Sequence, residues 1–140
     1  MSILEHLNRG PFRELVGVEI TEVGDGYAEA RLSLEQKHSS RQGDLIAQGG
    51  VTFTLADSVA GAAAISLVGR PTPTIDFRID YLRPATSDLR AIGEVTRSGS
   101  ETAVVDVSVF DDDDNEVATG RGVFKTSKLA SDAPWEIARE

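Results

Sequence analysis

The sequence predicts an α+β fold in which a mostly antiparallel sheet wraps one long helix, and three observations lead to it. An apolar stretch from Gly50 onward repeats at helical spacing for about 18 residues and stops at Gly69-Arg70-Pro71. Segments on both sides of it alternate apolar and polar residues, as half-buried strands do, and are separated by turn residues. The 140 residues, 40% apolar and 26% charged, are enough to bury one core without disulfide or metal support. A single domain over residues 1–140 is expected, with its core at about 11–126 and a tail at 127–140.

Ser2 to Leu15 reads as one or two short helical turns, with Pro11 suited to a first helical position. Val16–Val23 and Tyr27–Leu34 flank Gly24-Asp25-Gly26 and read as a hairpin. In the second run Ala28, Ala30, Leu32 and Leu34 alternate with Tyr27, Glu29, Arg31 and Ser33. Glu35 to Gln48 is polar and irregular, and reads as a functional loop. In the helix that follows, Val51, Leu55, Val59, Ala62 and Ala63 recur at helical spacing. Strands are then expected near Thr74–Leu82, Leu89–Thr96, Thr102–Phe110 and Glu116–Thr126. Asp111 to Asn115 supplies the last turn; it lacks the alternating ligands, central Gly and distal Glu of a calcium loop, so it reads as a solvated hairpin tip. The tail carries Pro134 and Trp135 without periodicity, and Trp135 is a candidate for docking on a neighbour.

Composition excludes several functions. The chain has no Cys and 2 His, which removes disulfides, thiolate catalysis, Cys-based zinc sites and histidine-rich metal sites. A net charge of −9 opposes binding to nucleic acid, which needs clustered cations to neutralise phosphates. Among 14 basic residues only Lys37, Lys125 and Lys128 are Lys, a balance that fits adaptation to high salt as well as plain solubility at low pI. Residues Met1 to Gly10 hold no apolar signal core, so a cytoplasmic protein is expected. The Gly49 to Gly69 stretch contains Asp57 and Gly61 and reads as a buried helix, so no membrane span is expected.

The informative segment is Gln48-Gly49-Gly50-Val51-Thr52-Phe53-Thr54-Leu55-Ala56-Asp57-Ser58. Two glycines opening a helix let backbone N–H groups approach a ligand oxygen, and the helix N-terminus adds partial positive charge there. Asp57 sits among apolar positions, where an ionised carboxylate is costly unless it is paired or used. Seven residues at about 100° each return Asp57 to the face of Gly50, but about 10 Å further along the axis. One helix therefore cannot hold one carbonyl from both ends. Two antiparallel copies can, with Asp57 of one beside the Gly50 N–H of the other, so a homodimer with two interface sites is expected.

The QGG-x6-D pattern resembles the HGG-x6-D signature of hotdog-fold thioesterases of the PaaI type, which hydrolyse acyl-CoA. Pro11-Phe12 to Val16-Gly17 is similar to the family's opening element, Thr74 to Pro84 to its strand ending in YLRP, and Gly120 to Phe124 to its closing strand. The resemblance covers roughly residues 11–126 and implies a hotdog fold, an acyl-CoA substrate, no cofactor or metal, and a dimer or dimer of dimers. It also implies site roles. Asp57 matches the catalytic carboxylate, acting as general base or nucleophile. Gly50 and Gly49 match the glycines whose amide polarises the thioester carbonyl, and Ser58 and Thr74 match hydroxyls that hold the water. Arg83, Arg97 and Gly99 match positions that contact CoA. The family's His before the glycines is Gln48 here, whose amide N–H can still donate to an oxyanion. Its Asn in the preceding loop is matched by Ser40. Phe53, Thr54, Val59, Phe77 and Leu45 to Ala47 are expected to shape the acyl pocket, and His38 is expected to be a loop residue. Loss of the His keeps a second reading open, an acyl-ligand binder that does not hydrolyse.

Overall fold

A computed structural model describes residues 1–128 of the chain; Trp135 and the docking expected of it lie outside the described residues. Two short helices, α1 (Ile3–Leu7) and α2 (Pro11–Val16), precede strands β1 (Val18–Gly24) and β2 (Tyr27–Leu32). Pro11 opens α2 as its spacing predicts. The hairpin turn is Asp25-Gly26 with both residues at positive φ, 51° and 78°, the two-residue geometry that matches strand twist.

A 3-10 turn at Gln36–His38 leads into α3 (Gly49–Val68), one residue earlier than its sequence periodicity suggests. The helix ends on Gly69, whose φ of 72° is open to glycine at little cost and whose N–H donates to Ile65 O. Strands β3 (Thr74–Tyr81), β4 (Leu89–Ser98), β5 (Thr102–Phe110) and β6 (Glu116–Lys125) complete one antiparallel sheet in the order β1-β2-β4-β5-β6-β3. The expected hairpin tip is present: Asp111 Oδ1 accepts from the N–H groups of Asp113 and Asn115, and Asp114 turns at φ 61°.

The sheet curls around α3, and the alternation read from sequence sets which side faces it. Ala28, Ala30 and Leu32 of β2, Leu89 and Ala91 of β4, and Ala103, Val105, Val107 and Val109 of β5 are all buried in the core. Their neighbours face solvent, where Arg121 forks onto Asp106 at 2.7 and 3.2 Å and Arg90 lies 4.9 Å from the ring centre of Phe110. Helix α3 is the one described helix apolar and long enough to cross a membrane, but Leu55, Ala56 and the run Val59 to Ala64 are buried inside the sheet, as a core helix requires.

Small residues let helix and sheet touch closely. Ala28 pairs with Gly93 and Ala30 with Ala91 across β2 and β4. A Cβ at Gly93 would stand 3.1 Å from Val59 O and 3.5 Å from Ala60 Cα. The loop before α3 is clipped to the body by His38, which is buried. Its Nδ1 accepts from Glu35 N–H at 2.9 Å, and its Nε2–H donates to Val16 O, so both ring nitrogens are used and the neutral tautomer is set. His38 is thus a loop residue, as expected.

Two stability outcomes follow. Gly93→Leu forces bulk between β4 and α3 and should lower unfolding free energy in urea by about 1–3 kcal/mol or more. His38→Leu fills the same space without partners for Glu35 N–H and Val16 O, and should cost about 1–3 kcal/mol in the same titration.

Candidate active site

Gly50, Thr54 and Asp57 share the one face of α3 that the sheet leaves open, because spacings of four and three residues keep them within a narrow arc. Asp57 is half-buried: in the single chain its side is bounded by the start of β3 and by α2, and the rest faces outward. The carboxylate is nonetheless held. Thr74 Oγ1, at the first residue of β3, donates to Asp57 Oδ1 at 2.8 Å. A cleft of about 470 Å³ opens over Asp57, lined by Phe12, Arg13, Phe53, Thr54 and Ser58 among others.

Phe53 packs edge-on against Phe77, ring centres 5.2 Å apart, and forms one flank of this cleft. Ser58 is buried beside Asp57. Val59, expected in the acyl pocket, is instead fully buried against β4: two residues beyond Asp57 is a rotation of about 200°, which turns it to the opposite face.

The helix start is assembled from three segments. Gln48 is the N-cap residue and its Oε1 accepts from Gly50 N–H at 2.6 Å, while its own N–H donates to His38 O. Sequence reasoning expected the amide N–H of Gln48 to face a ligand oxygen; in the free chain its oxygen instead occupies the Gly50 donor, because a helix N-terminus left without an acceptor is unfavourable. Tyr81 Oη donates to Gly49 O at 2.7 Å and ties the end of β3 to the first turn. Partial loss of water around the Tyr81 phenol, half of whose residue stays exposed, raises its pKa from the usual range. Arg83, Tyr81, Gly49 and Thr52 border a second cavity of about 370 Å³ here.

Other expected site residues lie apart within one chain. Ser40 bonds within its own loop, its N–H donating to Ile46 O at 2.9 Å. Arg97 follows a register shift in β4 and Gly99 closes the β4–β5 turn. That turn meets the last strand where Arg70, just past the far end of α3, donates to Thr126 O. A 20-residue helix is about 30 Å long, so these two stand far from Gly50 of the same chain.

Arg13 was missed by the sequence reading. It projects from α2 into the Asp57 cleft, its Nη1 donates to Leu7 O at 3.0 Å, and burial lowers its pKa while the charge of Asp57 pulls it back up. A lone Arg in a short amphipathic turn carries no spacing signal that could have flagged it.

A family model described as the thioesterase superfamily matches residues 46–118, the segment that contains α3 and the Thr74 and YLRP strand. A Halobacterium salinarum protein named as an esterase is 36% identical over 123 residues, covering 79% of this chain and 80% of that one. Acyl-coenzyme A thioesterase PaaI of Escherichia coli is 29% identical over 109 residues, 76% of each chain, and its solved structure superposes with a TM-score of 0.80 over 89% of both. The structure of a conserved protein from Pseudomonas aeruginosa superposes at 0.79 with 32% identity, over 86% of this chain and 96% of that one. Sequence and architecture thus agree, and the chain belongs to the thioesterase superfamily, as a hotdog-fold member of the PaaI type.

Proposed function

We propose that the protein is an acyl-CoA thioesterase, releasing a free acid and CoA, with Asp57 as the reacting carboxylate. The observation that carries this reading is the Asp57 carboxylate held at 2.8 Å by Thr74 in an open cleft, on the same helix face as the glycine start. As general base, Asp57 takes a proton from water as the water oxygen attacks the thioester carbonyl; as nucleophile, it attacks the carbonyl itself and water then cleaves the mixed anhydride. In both routes the carbonyl oxygen gains charge opposite a Gly50 N–H, and the CoA sulfur leaves and is protonated. Ser58 and Thr74 flank the carboxylate, and the amide of Gln48 stands beside the oxygen site.

The Gly50 donor comes from a second copy of the chain. Asp57 and Gly50 are about 10 Å apart along one helix, which supports an antiparallel pair. The open face of α3 adjoins exposed Phe12, Leu15, Ile75, Tyr81 and Leu82, and β3 is an unpaired sheet edge, features that a homodimer would cover. In such a pair Arg83, Arg97 and Gly99 are the candidates for contact with CoA, and Phe53 with Phe77 for the acyl wall.

A second reading, an acyl-ligand binder without turnover, is favoured by one observation: Gln48 Oε1 sits on the Gly50 N–H that the enzyme needs. Release of CoA from short, aromatic and long acyl-CoAs separates them. Asp57→Asn should lower kcat at least a hundredfold with the fold kept. No turnover in the native protein, together with activity gained by Gln48→His, supports the binder. The Arg-rich, acidic surface and a relative from Halobacterium support a protein that works in high salt; turnover should hold or rise in molar KCl, and a sharp loss there counts against it.

A further inference from the structure

Two cavities meet at one side chain. The cleft over Asp57 and a second cavity of about 340 Å³ share Gly10 and Arg13 in their walls. The second is otherwise walled by His6, Leu7, Ile65, Pro71, Thr72 and Pro73, with no carboxylate among them. The stem of Arg13 runs over Gly10, where an added Cβ would stand 3.8 Å from Arg13 Cδ, and the guanidinium reaches Leu7 O.

That guanidinium is under-used. Of its five N–H donors the described residues occupy one, and no carboxylate among the described residues lies within ion-pair distance. Burial lowers its pKa, the mark of a cation partly stripped of water, and the charge of Asp57 only offsets this in part. A desolvated cation is costly unless an anion meets it, and a guanidinium fork is shaped for a carboxylate. The surrounding apolar walls suit methylene groups or a ring.

We infer that Arg13 is an anion subsite of the acyl pocket, so that the preferred thioester carries a carboxylate at the far end of its acyl group. This rests on the thioesterase reading for the placement of the reacting carbonyl at Asp57; the acyl chain then passes Gly10 into the second cavity, and its terminal carboxylate pairs with Arg13. Arg13 acts on specificity and takes no part in bond making.

The test compares acyl groups of matched length, adipyl-CoA with hexanoyl-CoA and suberyl-CoA with octanoyl-CoA. The native protein should favour the carboxylated member of at least one pair tenfold or more in kcat/KM. Arg13→Gln should bring that ratio close to one, chiefly through KM, whereas Arg13→Lys keeps part of it. Preference for the uncharged acyl group, or a ratio that survives Arg13→Gln, overturns the proposal. If no thioester is hydrolysed, the thioesterase reading fails on its own, and calorimetric binding of adipyl-CoA and hexanoyl-CoA decides the subsite: tighter adipyl-CoA binding that Arg13→Gln abolishes upholds it, and equal binding overturns it.

Discussion

The close seating of α3 on β2 and β4 is the constraint on which the rest of the molecule depends. Ala28 opposite Gly93 and Ala30 opposite Ala91 form a strip without bulk, and Val59 and Ala60 press on it at backbone distance. Cores are packed to crystalline density, so a strip of this kind fixes both the depth and the rotation of a helix. Rotation is what matters for chemistry. With Val59 and Ala63 turned to the sheet, Gly50, Thr54 and Asp57 must face the other way, toward β3 and α2. The Thr74 hydroxyl then meets the Asp57 carboxylate because β3 begins where the post-helix loop, anchored by Thr72 Oγ1 on Gly61 O, returns to the helix flank.

Much of this was legible in the chain. Alternation marked the inward residues of β2 and β5 because a half-buried sheet leaves no other arrangement for them, and Gly69 with Pro71 marked the helix end because a left-handed residue and a missing N–H cannot continue it. The open face of α3 could also be counted from Gly50 to Asp57. The same wheel places Val59 on the far side, so its assignment to the pocket was an error of counting. The half-exposure of Asp57 was illegible, since it reflects which neighbours a single chain supplies. Arg13 was hidden for another reason: it matters through one tertiary hydrogen bond and the walls of two cavities, and neither spacing nor composition encodes that.

The polar groups at the two ends of α3 show different solutions to the same accounting. At the C-terminal end the N–H of Gly69 turns back on Ile65 O, a backbone partner fixed by the chain itself. At the N-terminal end the partner of Gly50 N–H is a flexible side chain, Gln48, held at its backbone by His38 O. Tyr81 meanwhile fixes the carbonyl side of Gly49. The donor is therefore rigid and its acceptor is replaceable.

Replaceability has a thermodynamic consequence under the thioesterase reading. When a thioester carbonyl displaces Gln48 Oε1, one neutral hydrogen bond is exchanged for another, and the net gain in ground-state binding is small. As the carbonyl oxygen becomes an oxyanion the bond to Gly50 N–H becomes charge-assisted and roughly twice as strong, while the displaced amide still competes only as a neutral acceptor. Displacing the internal cap subtracts the same free energy from substrate binding and from transition-state binding, so the difference between the two states comes from the strengthening of the Gly50 bond itself. A rigid N–H whose bond strengthens as the oxyanion forms meets the condition for a donor to raise kcat, and the replaceable acceptor keeps ground-state binding weak without altering that gain.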